Sequence, residues 1–184
     1  MMEDLAMQIL ELLMNSIQAD ASHIHLTIRE SKAEDRIFIT LKDDGKGMSE
    51  EFVARVTDPF TTTRTTRKVG MGVAFFKGMT EICNGTFSID STVGEGTTID
   101  ATVQRDWIDT PPIGDLGEMM MYCIQADEDI SYVLTYTTDT DEFVFQSDEV
   151  KAMLEGVSLQ EPDILIWIKE YINDGIEHVK EDLQ

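Results

Sequence analysis

Four short groups of residues have the types and spacing that do chemistry. Glu11 and Asn15 stand four positions apart, so on a helix both project from one side and can point together into a cavity. Asp43-Asp44-Gly45-Lys46-Gly47-Met48 sets an acceptor-only carboxylate beside glycines that let backbone turn sharply and approach a ligand closely. Asp58–Lys68 (DPFTTTRTTRK) gathers hydroxyls with Arg64, Arg67 and Lys68, a cationic cluster in an acidic chain and a place to which a polyphosphate would be steered. Gly70-Met71-Gly72-Val73 opens an apolar helical segment, where bare backbone N–H groups and the positive helix end favour phosphate oxygens. Each group alone also has a plain structural explanation: a solvated helix face, an acidic turn leaving a strand, an exposed loop, a chance Gly-x-Gly. Their order along one chain is what carries weight.

The elements that must position these groups follow from periodicity. Leu5, Ile9, Leu12, Leu13 and Ile17 recur at spacings of three and four, an amphipathic helix whose apolar stripe lies away from Glu11 and Asn15. His23–Arg29 and Arg36–Lys42 alternate as two antiparallel strands, the second running into the Asp43–Met48 turn. Ser49 followed by Glu50 and Glu51 starts a short helix, and Val73–Cys83 forms another that ends at Asn84-Gly85. Thr86–Thr92 and Thr97–Gln104 make a further pair of strands. The order helix, two strands, helix, connection, helix, two strands predicts a two-layer α/β sandwich with helices on one face of an antiparallel-rich sheet.

Taken together and in this order, the four groups resemble the GHKL superfamily of gyrase, the large heat-shock chaperones, histidine kinases and MutL. Glu11-Leu12-Leu13-Met14-Asn15-Ser16 looks like its N box, Asp43–Gly47 its first glycine box, Asp58–Arg64 its phenylalanine-bearing box and lid start, and Val69–Val73 its second glycine box. The resemblance covers about residues 3–104 and implies the Bergerat-type ATP-binding fold, with ATP and Mg²⁺ as cofactors. It makes Asn15 the Mg²⁺ ligand and Glu11 the catalytic carboxylate. Asp43 would accept from the exocyclic amine of adenine, with Gly45, Gly47 and Met48 close to the base. Phe60 would pack under the pocket, Thr62, Arg64 and Lys68 would close on the phosphates, and Gly70, Met71, Gly72 and Val73 would cradle them. Thr97, in Gly96-Thr97-Thr98, would hold the adenine side through water.

Composition limits the alternatives. The chain has 184 residues, 42% of them hydrophobic, enough for a sizeable core. No run of about 18 apolar residues appears and the first residues are acidic, so the expectation is a soluble cytoplasmic protein. A formal charge of −22 repels phosphate backbones and anionic lipid, which argues against nucleic-acid and membrane partners. Cys83 and Cys123 belong to no metal-spacing pattern and read as buried, reduced thiols; His23 and His25 read as strand residues. Residues 1–104 are net −6 and residues 105–184 net −16, marking three parts: an ATP-binding domain (1–104), a linker with Pro111, Pro112 and Gly114 (105–117), and an acidic α+β C-terminal region (118–184). Within the last, Ile130–Thr137 and Glu142–Gln146 read as a hairpin, residues after Ser147 and Pro162 as helices, and 118–126 as helix or strand. Ile164, Leu165, Ile168, Ile172 and Ile176 form a helical stripe that either packs into the molecule's own core or offers a surface to a partner or second copy.

Two departures from the resemblance shape the functional expectation. The sequence starts at the N box, so the helical hairpin on which histidine kinases autophosphorylate is not expected in it. The lysine that a following domain contributes to the γ-phosphate in gyrase, the chaperones and MutL has no match in residues 105–184, so hydrolysis is expected to be slow. The resulting expectation is a Mg·ATP-dependent switch, its lid at Asp58–Lys68 ordered by nucleotide, that engages a protein partner or homodimer. The alternatives are a kinase acting on serine, threonine or histidine of a separate protein, and a non-hydrolysing binding module.

Overall fold

Strict alternation along the strands gives the sheet one apolar face and one polar face, and only the apolar face is covered. The computed structural model describes residues 4–58 and 71–183. Its elements run α1 (Leu5–Gln18), β1 (His23–Ser31), β2 (Arg36–Asp43), α2 (Glu50–Val56), α3 (Met71–Ile82), β3 (Thr86–Thr92), β4 (Gly96–Gln104), α4 (Leu116–Ala126), β5 (Ser131–Thr137), β6 (Glu142–Gln146), α5 (Ser147–Met153) and α6 (Pro162–Lys180). The strands form one six-stranded sheet in the order β3-β4-β2-β1-β5-β6, antiparallel except where β5 runs parallel to β1. This is the two-layer α/β sandwich expected from the sequence, and the strands of the acidic C-terminal extension continue the same sheet.

Register explains the core. Leu26 of β1 lies opposite Leu41 of β2 and Leu134 of β5, and Ile39 of β2 opposite Ala101 of β4, so buried side chains line up in rows across the sheet. Shifting any strand by one residue would turn its apolar set outward, which is why the register is firmly specified. Against these rows α1 buries Leu5, Ile9, Leu12 and Leu13, while α6 buries Leu165, Ile168, Ile172 and Ile176. Each such side chain contributes about 1.5–3 kcal/mol. The helical stripe of residues 164–176 thus packs inward, and Met119 and Met120 of α4 fill core beside it. Cys83 and Cys123 are buried free thiols.

Three fastenings fix α1. Asp4 caps it, Oδ1 accepting from Met7 N–H at 2.9 Å, and the linker straps its start through Leu5 N–H to Pro112 C=O (2.9 Å) and Ala6 N–H to Ile113 C=O (2.8 Å). Its far end turns into β1 at Asp20, whose φ of +55° suits a short polar side chain. The short α2 starts where the sequence expects, the Ser49 hydroxyl accepting from Phe52 N–H. At the end of α3 it is Asn84, not Gly85, that takes the left-handed conformation (φ +51°). Gly85 has another role: its N–H reaches Thr80 C=O at 2.8 Å, and a Cβ there would meet Thr102 C=O at 1.7 Å.

Candidate functional site

At the C-terminal end of β2 the helices stand off the sheet and leave a cavity of about 470 Å³. That is within the ordinary range for small-molecule sites. Its apolar walls include Leu12 of α1, Phe52 and Val56 of α2, Val73 of α3, Ile89 of β3 and Ile99 of β4. Asn15, Asp43, Gly47, Met48 and Thr97, all expected from the sequence, line it as well.

Asp43 is the charged group at its floor, only 8% exposed. Oδ2 accepts from the Ser16 hydroxyl at 2.6 Å and Oδ1 from Gly45 N–H at 2.9 Å. A carboxylate has about four acceptor positions, so two remain for a ligand. No cation is paired with it among the described residues; Lys46, which also lines the cavity, reaches Asp20 at 2.5 Å instead. The neighbouring Asp44 does different work. Its Oδ1 accepts from Ser22 N–H (2.7 Å) and His23 N–H (2.8 Å), and its Oδ2 lies 2.7 Å from His23 Nδ1. Burial opposes charge on Asp44, but these hydrogen bonds outweigh it and hold the carboxyl below the usual range. Asp44 therefore ties the turn to the start of β1 and leaves Asp43 for the cavity.

Backbone proximity sets the remaining geometry. Gly47 has φ +66°, and a Cβ there would lie 1.9 Å from Thr92 C=O, so no other residue fits without moving β3. Gly45 is close to Ala19, with 2.9 Å from a notional Cβ to Ala19 Cβ. Ser91 links the rim: its hydroxyl accepts from Met48 N–H (2.8 Å), donates to Gly96 C=O (3.0 Å) and lies 2.8 Å from Thr97 Oγ1. With the Ser91 hydrogen spent on Gly96, the Thr97 hydroxyl donates to Ser91 and keeps its acceptor positions.

Glu11 and Asn15 project from α1 toward the first turn of α3. A Cβ at Gly72 would lie 3.3 Å from Glu11 Cβ, 4.0 Å from Glu11 Oε2 and 3.9 Å from the Asn15 amide nitrogen. The i, i+4 pair thus meets the helix start as the spacing implied. Met71 is half exposed and lies off the cavity wall. Phe60, Thr62, Arg64, Lys68 and Gly70 lie outside the described residues. The sequence reading missed Ser16 and Ser91. Ser16 had a signal, standing at the Leu5, Ile9, Leu12 spacing as a hydroxyl inside an apolar stripe; Ser91 had none.

The chain belongs to the family described as histidine kinase-, DNA gyrase B-, and HSP90-like ATPases, whose pattern matches residues 3–106. It is 31% identical over 104 residues to the non-motile and phage-resistance protein of Caulobacter vibrioides (52% of this chain, 12% of that protein). It is 32% identical over 96 residues to sporulation kinase E of Bacillus subtilis (51% of this chain, 13% of that protein). The alignments therefore span about an eighth of those relatives' length. Among solved structures, the Aquifex aeolicus MutL ATPase domain complexed with ADP superposes with a TM-score of 0.46 at 15% identity, covering 84% of this chain and 68% of that one. No helix among the described residues is long and apolar enough to cross a membrane.

Proposed function

We propose that this chain binds ATP with Mg²⁺ in the cavity below α1 and works as a nucleotide-dependent switch toward a protein partner, with slow hydrolysis assisted by Glu11. The observation that carries the reading is Asp43: a buried carboxylate with no paired cation among the described residues, held by Ser16 and Gly45, with acceptor positions left over at the floor of an apolar slot. Such an arrangement suits a flat base offering an amine. It disfavours a base offering a carbonyl at the same place.

The rest of the cavity fits the remainder of a nucleotide. Phe52, Ile89 and Ile99 give the base apolar walls, and Gly47 allows close approach from the β2–α2 turn. The start of α3 offers backbone N–H groups to phosphate oxygens, and its missing Cβ at Gly72 keeps a gap beside Glu11 and Asn15. Asn15 would supply an amide oxygen to Mg²⁺, an ion that would offset charge on the phosphate chain when bound. Glu11, one helical turn away, would orient a nucleophile and accept its proton.

The decisive experiment measures the Mg·ATP-induced rise in melting temperature in the parent chain and in Asp43→Asn. Near 100-fold over Kd, ATP adds about 2.7 kcal/mol, a rise of several degrees. In the variant Gly45 N–H still needs an oxygen, so the amide nitrogen must turn toward Ser16 and present a donor where an acceptor stood. The rise should vanish, and its persistence would remove adenine recognition from Asp43. A kinase reading is favoured by the name of sporulation kinase E, matched over this same domain. Phosphate release that drops in Glu11→Gln supports hydrolysis, whereas label passing from γ-labelled ATP to a second protein would replace it with phosphotransfer.

A further inference from the structure

The outer side of α6 is the most aromatic exposed surface of the C-terminal extension. Five apolar residues of this helix face the core, yet Ile166, Trp167 and Tyr171 remain 52%, 46% and 44% exposed. Trp167 and Tyr171, one helical turn apart, are stacked with ring centroids 5.1 Å apart and planes at 12°. Tyr171 in turn meets Phe143 of β6 edge-on at 5.7 Å. Gly175 makes this possible, since a Cβ there would lie 2.1 Å from the Phe143 ring. Three rings therefore run without a break from the helix surface to β6, an edge strand paired on one side only. An open edge offers main-chain hydrogen bonds as well as side chains.

Charge specifies what such a surface can take. Asp163, Glu170 and Asp174 stand three or four positions from Trp167 or Tyr171, on neighbouring positions of the helix surface, and all are exposed. None has an ion-pair partner among the described residues. The helix's own lysines are engaged elsewhere: Lys169 with Asp115 (3.2 Å) and Glu118 (3.0 Å), Lys180 over the Tyr136 ring at 5.4 Å. The result is an aromatic centre with an uncompensated negative rim, the arrangement in which arginine and lysine bind by stacking on a ring while pairing with a carboxylate. A second copy of this chain would bring the same three carboxylates against their like in a molecule of charge −22.

We propose that the Phe143–Tyr171–Trp167 face, rimmed by Asp163, Glu170 and Asp174, docks an arginine- and lysine-rich segment of a partner protein. This surface lies outside the residues the ATPase family matches, and the proposal stands independently of nucleotide binding.

The test uses the full chain and a fluorescein-labelled Arg/Lys-rich peptide, with a neutral Gly/Ser peptide of equal length as control, read by anisotropy. Three variants separate local recognition from general attraction to an acidic protein. Trp167→Ala/Tyr171→Ala removes the rings. Asp163→Asn/Glu170→Gln/Asp174→Asn removes the rim without changing shape. Glu81→Gln/Asp90→Asn/Glu95→Gln removes three exposed charges elsewhere. The first two should each weaken binding by about tenfold or more, and the third by no more than about twofold. Equal losses in the second and third, or unchanged binding without the rings, would overturn the proposal. So would sedimentation showing a dimer of the parent chain that dissociates in Trp167→Ala/Tyr171→Ala, which would make the occupant a second copy. Because the rim variant is isosteric and exposed, its result stands even if the ring variant proves unstable.

Discussion

Two buried carboxylates sit at opposite ends of the β1–β2 pair on the same face of the sheet, and they are treated in opposite ways. Glu30, 7% exposed, has a cation beside it: Arg105 Nε reaches Oε1 at 2.8 Å, and the Tyr136 hydroxyl donates to Oε2. Asp43, 8% exposed, has a hydroxyl and a backbone N–H but no cation among the described residues. Each partner records the difference. Burial alone would lower the Arg105 pKa, but its hydrogen bond to and attraction by Glu30, helped by Asp106 and Asp35, raise it. Burial, then the bond to Glu30, pushes the Tyr136 hydroxyl far above the ordinary tyrosine range. A buried charge is costly unless paired. Glu30 is paired within the protein and joins β1, β5 and the residue that follows β4, whereas Asp43 has no such cation among the described residues. Similar burial in the same sheet thus serves structure at one end and, on the function proposed above, recognition at the other.

The largest expected effect tests the structural end. Arg105→Met leaves Glu30 and Tyr136 buried without their cation and should cost about 3 kcal/mol of unfolding free energy. Urea denaturation would show this as a lower midpoint with little change in slope. Asp43→Asn should cost less than about 1 kcal/mol without ligand, because it removes a buried charge that has no ion pair among the described residues and keeps the side-chain shape. The Mg·ATP response should show the reverse order, intact in Arg105→Met and lost in Asp43→Asn. If both variants lost stability and response alike, the contrast between the two carboxylates would be wrong.

A smaller effect sharpens the recognition end. Ser16→Ala deletes a buried hydroxyl that donates to Asp43 at 2.6 Å, a bond to a charged acceptor worth about 1.5 kcal/mol. The loss should appear twice, as a modest drop in stability and as roughly tenfold weaker ATP binding by calorimetry. A purely structural serine would lower stability and leave ATP affinity, and its preference over GTP, unchanged.

How far the sequence shows these features depends on whether their partners are near in the chain. Strand alternation, the helix stripes, the Ser49 cap and the Glu11–Asn15 spacing are local, and they were readable. Asp43 was readable too, because the glycines that shape its turn follow it directly. Glu30 occupies the buried register of Ile24, Leu26 and Ile28, but the alternation is read only as far as Arg29, so its burial was not expected. Its partners, moreover, lie at Arg105 and Tyr136, beyond the reach of any local pattern. The parallel insertion of β5 beside β1 is hidden for the same reason, since residues 131–137 alternate as they would at any place in a sheet. The choice of helix for 118–126 depended on α6, against which α4 packs once the chain has closed.

The smallest expected effect concerns how the C-terminal extension is held. Asp115 caps α4 through Glu118 N–H at 2.7 Å, and its carboxylate also meets the Asn173 amide (2.8 Å) and Lys169 (3.2 Å) on α6. Burial works to raise its pKa, but the Glu118, Asn173 and Lys169 interactions outweigh it and the net direction is downward. A carboxyl lowered on folding contributes stability above its unfolded pKa, about 3.9, and loses that contribution as pH falls through the folded value. Asp115→Ala should therefore cost about 1 kcal/mol at pH 7, as loss of a helix cap does. The gap to the parent chain should narrow steadily below about pH 4 as the parent's carboxyl protonates. A gap that stayed constant from pH 7 to pH 3 would show that Asp115 acts by shape alone. Its charge would then have no part in fastening α4 to α6.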